Sequence, residues 1–115
     1  MNSEEFYMQI GGSYEEILKR IPLPDKIIKF VNMFLKDTNY GELVKTLEAD
    51  DTEGAFKAAH NLKGVSANLA FSELTRAASD ITEALRSGNL EEAKKIMPGV
   101  KEKYELIEKL AKEIE

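Results

Sequence analysis

Apolar residues along the chain recur at three and four positions rather than at two, so helices are predicted and strands are not. The clearest case lies between about Asp25 and Asp37, where Ile27, Ile28, Phe30, Val31, Phe34 and Leu35 gather on one broad face. A second helix, Tyr40 to about Ala49, turns Leu43, Val44 and Leu47 inward, with Thr38 or Asn39 as its cap. A third runs from about Thr52 to Ala70 behind Asp51 or Thr52, and a fourth from Glu73 to Ser87 behind Ser72, with Gly88 placed as C′. Asn89 and Glu92 open the last helix, which reaches about Ile114 and carries Pro98-Gly99, where a kink is expected. Ahead of these, Ser3 to Ile10 can form a short helix, and "SYEE" (Ser13 to Glu16) reads as a capping box opening Tyr14 to Arg20. "PLPDK" ends that segment, and Pro24 suits the first turn of the next helix.

Long amphipathic helices joined by short connections pack as antiparallel neighbours. The expected fold is therefore all-α: an antiparallel up-down four-helix bundle with an additional short N-terminal helix or helices. At 115 residues, 43% hydrophobic and 32% charged, residues 1–115 fit one globular domain. The net charge of −5 speaks against nucleic acid as the main partner. No apolar run reaches the roughly 18 residues of a membrane span. The absence of cysteine removes disulfides, thiol nucleophiles and thiolate metal sites, and it fits a cytoplasmic protein. The chain is expected to be a monomer.

His60 is the only histidine, inside "AAHNLKGVSANLAF". With His60 at zero on a helical wheel, Ala55, Ala58, Leu62, Val65, Ser66 and Leu69 fall between about 140° and 240°. The imidazole thus points away from the core stripe. Its competitor reading is a surface histidine of no consequence, and the neighbours decide between the two. Phe56, Lys57, Lys63 and Gly64 lie three or four residues away. The two lysines would attract an anion. A mid-helix glycine costs about 1 kcal/mol relative to Ala, which is explained if something bulky approaches the ring; Ala67 keeps the same lane low. The wheel also turns Phe56 and Phe71 outward as the rim of a partner-docking patch, although both could instead pack against the N-terminal helices. An exposed nucleophile beside cations and a clearing suits attack on phosphorus.

These residues resemble a known pattern. "HNLKGVSANLAF" is similar to the signature of histidine-containing phosphotransfer (HPt) domains, roughly His-x-Leu-Lys-Gly-small-small-x-x-Leu-Gly, matched by His60, Leu62, Lys63, Gly64, Ser66 and Leu69. Helix lengths, the "SGNLEEA" turn and the internal Pro of the last helix resemble the same domains. The resemblance implies a phosphorelay intermediate in which His60 accepts a phosphoryl group from a receiver-domain phospho-aspartate and passes it to another receiver. It implies that Lys63 steadies the phosphoryl oxygens and that Gly64 admits the receiver. By spacing, Thr82 and Arg86 match the polar and basic positions that the family sets on the next helix. Partners would be response-regulator receiver domains, including those of hybrid histidine kinases. Val65 departs from the small residue usual there, and Ala70 stands where the family has Gly, which would lengthen the helix.

No Gly-rich nucleotide loop of P-loop or kinase type is present, so the chain is read as a stoichiometric carrier rather than an autokinase. No metal or cofactor is expected on it, because a di-iron bundle needs Glu-x-x-His pairs and position 57 is Lys; Mg²⁺ would come with the receiver. The alternative from another class is an HPt-like module that docks receivers or other proteins without carrying phosphate.

Overall fold

The computed structural model describes all residues, Met1 to Glu115. Seven helices follow in order: α1 (Ser3–Ile10), α2 (Tyr14–Arg20), α3 (Pro24–Phe34), α4 (Asn39–Glu48), α5 (Thr52–Asn68), α6 (Ser72–Arg86) and α7 (Leu90–Ala111). No helix is long and apolar enough to cross a membrane. In the bundle α5 packs on both α4 and α6, and α6 on α7, with the short connections making neighbours antiparallel. The α4–α7 seam is looser. Tyr40 and Tyr104 stack across it with ring centroids 3.9 Å apart, and Lys94 donates to Asp50 across its other end. Helices α1 to α3 cover the bundle, and α1 also touches α7.

Local chemistry accounts for the helix starts. Asn2, Ser13, Asp51 and Asn89 each accept a hydrogen bond from the backbone N–H three residues on. The box at Ser13 is only half closed: Glu16 pairs with Arg20 at 3.9 Å, and the Ser13 N–H donates to the Ala70 carbonyl at 2.9 Å. Ser72 is the first helical residue of α6 and not its cap. The Glu73 N–H donates instead to the Gly11 carbonyl at 3.1 Å, so the α1–α2 turn caps α6. Gly88, at φ 74°, ends α6 as expected. Helix α7 continues through the exposed Pro98.

Two helices end earlier than their patterns suggest. Helix α3 stops at Phe34, and α5 stops at Asn68 although Ala70 carries no glycine. Ala70 nonetheless takes the left-handed conformation, φ 58°, while buried. The surroundings hold it there. Tyr7 Oη donates to the Leu69 carbonyl at 2.8 Å, Phe71 N–H to the Ser66 carbonyl at 3.0 Å, and Arg20 Nη1 to the carbonyls of Ala67 and Asn68 at 2.6 and 2.9 Å. Burial, and then the neighbouring Tyr14, push the Tyr7 hydroxyl far above its ordinary range, which keeps it protonated as a donor. An aromatic cluster of Phe6, Tyr7, Phe34 and Phe71 fills the space under this joint.

Candidate functional site

Helix α5 sets the site. Its Ala55, Ala58, Leu62 and Ser66 are buried, as the wheel requires, and Ala59 is buried too on the flank facing α6. His60 is exposed on the opposite side. Lys57 and Gly64 are exposed beside it, and Lys63 and Ala67 are half-buried. A Cβ built on Gly64 would meet nothing within 4 Å. Internal packing therefore does not require glycine there, and the lane along His60, Gly64 and Ala67 is open to solvent. Val65, placed on the core stripe by the wheel, is only half-buried, where it borders a cleft shared with α3.

The α6 side of His60 is built from rings and charges. The Phe56 ring lies 6.0 Å from the imidazole at an interplanar angle of 16°, a stacked arrangement one turn along α5. The Arg86 guanidinium carbon sits 5.1 Å from the Phe56 ring centroid, a cation–π contact between α6 and α5. Arg86 Nε also donates to Glu83 Oε2 at 2.8 Å. The Arg86 hydrogen bond and charge, with a smaller contribution from the Lys63 ammonium, hold the Glu83 carboxyl below its usual range. His60, Phe56, Lys63, Glu83 and Arg86 thus form one surface group on two adjacent helices.

Two residues expected at this site lie elsewhere. Phe71 is fully buried against Phe6, Tyr7 and Phe34, so it is a core residue and not part of a docking rim. The wheel turned it outward only because α5 was extended past Asn68; after the left-handed turn at Ala70, residue 71 belongs to the start of α6. Thr82 is 1% exposed, and its Oγ1 donates to the Ala78 carbonyl at 2.6 Å inside its own helix. It lies on the buried stripe of α6 with Leu74, Ala78, Ile81 and Leu85, so it cannot reach an oxygen placed on His60. Phe56, by contrast, is half-buried at the site itself.

Two features beside the site, Glu83 and Arg20, have no counterpart in the sequence reading, and Phe30, read there as part of the broad apolar face of its helix, is exposed. Glu83 is the acid that pairs with Arg86, and its i,i+3 spacing is the available signal. Phe30 and Met33 of α3 are 40% and 54% exposed and border a cleft with Val65, Asn68 and Leu69 of α5. The narrower inward stripe of α3, Ile27, Val31 and Phe34, leaves Phe30 to one side. Arg20, capping the end of α5, is visible only in three dimensions.

A helical bundle that holds out a single exposed imidazole on α5 presents a nucleophile to solvent. The family model described as Hpt domain matches residues 30–114, and the chain belongs to the Hpt domain family. Members of that family are phosphocarriers of phosphorelays rather than kinases, and they interact with response-regulator receiver domains. Comparison with curated proteins and with solved structures returned no match.

Proposed function

We propose that the chain is a phosphorelay intermediate that carries a phosphoryl group on His60. An imidazole nitrogen of His60 attacks the phosphorus of a receiver's aspartyl phosphate. The N–P bond forms as the P–O bond to aspartate breaks, and the carboxylate leaves with the bonding electrons. Transfer to a second receiver is the same exchange run toward a new aspartate. Phosphoryl transfer proceeds through a loose transition state with charge spread over three oxygens, so positioned cations are the main help a protein gives. Lys63, one turn from His60 on α5, and Arg86, over the Phe56 ring stacked on the imidazole, would serve the oxygens. Thr82, being buried, has no part. Any Mg²⁺ belongs to the receiver, whose carboxylates bind such an ion through oxygen.

The observation that carries the reading is the exposed His60 over the open lane at Gly64, in a chain of the Hpt family. The receiver would settle along Lys57, Gly64 and Ala67, with Phe30 and Met33 extending the contact on its apolar side. Incubation with a phosphorylated receiver should give label on this chain that acid removes and base does not. His60→Gln should take up none. Equal binding of receivers by wild type and His60→Gln, with label on neither, would instead mark a docking module.

A further inference from the structure

The step just described leaves idle one carboxylate, Glu83, which pairs with Arg86 on α6. Arg86 is held twice, by Glu83 at 2.8 Å and by the ring of Phe56. Lys63, on the other helix, also acts on Glu83 and makes no ion pair of its own. Asp80, one turn earlier on α6, and Glu16 border a cleft with Lys63, together with Arg20 and Arg76. Side chains of Glu83 and Arg86 are 60% and 57% exposed, and exposed pairs contribute little to stability. Helix geometry accounts for the i,i+3 pair and for a cation in the last turn of α6, but not for the placement of that cation over the ring stacked on His60.

We propose that Glu83 is the resting counter-ion of the phosphoryl site, holding Arg86 and Lys63 beside His60 in the free protein and yielding them to the phosphoryl oxygens once His60 is modified. This rests on His60 being the phosphoryl carrier. A phosphoryl group brings about −1.5 to −2 charge and three acceptor oxygens, against one charge and two oxygens on a carboxylate. The exchange thus favours the phosphoryl group. Arg86 needs only to leave Glu83, since its contact with Phe56 already keeps it against the ring stacked on the imidazole. Lys63 needs only to turn on its flexible stem. Glu83 is on this view a positioning residue: it touches neither phosphorus nor His60. It keeps the cations gathered before the phosphoryl group arrives, and its charge opposes that group afterwards.

The test uses the full chain phosphorylated with phosphoramidate, a small donor that needs no receiver. Carboxyl NMR follows the titration of Glu83, and phosphorus NMR follows the phosphoryl group. In the unmodified protein, Arg86→Ala should raise the titration point of Glu83. Phosphorylation of the wild type should raise it as well, as its partners depart. In Glu83→Gln the phosphoryl group loses a nearby negative charge, which favours its dianion, so its own titration point should fall. One charge at ~7 Å in water is worth roughly half a pH unit. The melting temperature of that variant should stay at the wild-type value, which separates positioning from a structural role. A phosphoryl titration point that is unchanged or raised in Glu83→Gln, with label on His60, overturns the counter-ion role alone. Absence of label on wild-type His60 removes the carrier reading, and the counter-ion role with it.

Discussion

Replacing Gly64 separates what the fold needs from what the partner needs. At an interior helix position Ala is favoured over Gly by roughly 0.5–1 kcal/mol, through helix propensity and the smaller entropy of its unfolded chain. At most sites a clash offsets that gain, but a Cβ at Gly64 meets no atom within 4 Å. Gly64→Ala should therefore stabilise the chain by close to the full amount. For a domain of this size that is a rise in melting temperature of about 2–6 °C. Leu has nearly the helix propensity of Ala, so Gly64→Leu should melt at least as high as wild type. The partner meets the opposite effect. A Leu side chain forced into a packed docking surface costs about 1–3 kcal/mol, a factor of roughly 5 to 150 in transfer efficiency. Thermal melts by circular dichroism, paired with initial transfer rates from a phosphorylated receiver, give both readouts. Stabilised variants whose transfer falls as the side chain grows are expected. A destabilised Gly64→Ala would place the reason for glycine inside the fold. A Gly64→Leu that transfers at the wild-type rate would show that no partner approaches along this lane.

Other substitutions probe the remaining features. Phe71→Ala removes a ring buried among Phe6, Tyr7 and Phe34 and should cost about 3–5 kcal/mol in urea unfolding, whereas the half-buried Phe56→Ala should cost clearly less and impair phosphoryl uptake more. Equal losses of stability would undo the distinction between core ring and site ring. Ala70→Val places a β-branched residue at φ 58° and should lose about 2 kcal/mol or more by the same assay; an unchanged midpoint would mean the joint relaxes without strain. Lys63→Ala should leave the unfolding midpoint within about 0.5 kcal/mol of wild type yet slow transfer or shorten the life of the phospho-form, and normal kinetics would exclude Lys63 from the phosphoryl oxygens.

The direction of His60 is legible because Ala55, Ala58, Leu62 and Ser66 write a consistent stripe along a 17-residue helix. The bundle itself follows from four amphipathic segments with short joints, and the starts of α2, α5 and α7 follow from Ser13, Asp51 and Asn89. Errors enter where a local rule is carried past its limit. A helical wheel continued past Asn68 turns Phe71 outward, since nothing local announces a left-handed Ala70. Family spacing assigns Thr82 to the site, although its position four residues after Ala78 sets it on the buried stripe. Tertiary contacts across long stretches of chain leave no local trace at all. The Gly11 carbonyl that caps α6, the Arg20 guanidinium on the last carbonyls of α5, and the Tyr7 hydroxyl on Leu69 all come from the N-terminal helices. These residues lie before the span that the Hpt family model matches, yet they fix the joint between α6 and the helix that carries His60. The grouping of Lys63, Glu83 and Arg86 likewise depends on how α5 and α6 are set side by side, which periodicity alone does not state.

Everything functional here depends on one covalent bond, between phosphorus and the imidazole of His60. The direct measurement is tandem mass spectrometry, in mild base, of the chain after mixing with a phosphorylated receiver. A mass gain of one phosphoryl group confined to His60, reversed on adding a fresh unphosphorylated receiver and absent in His60→Gln, is the predicted result. A phosphoryl group found on another residue, or none on any residue while the receiver binds, would contradict it.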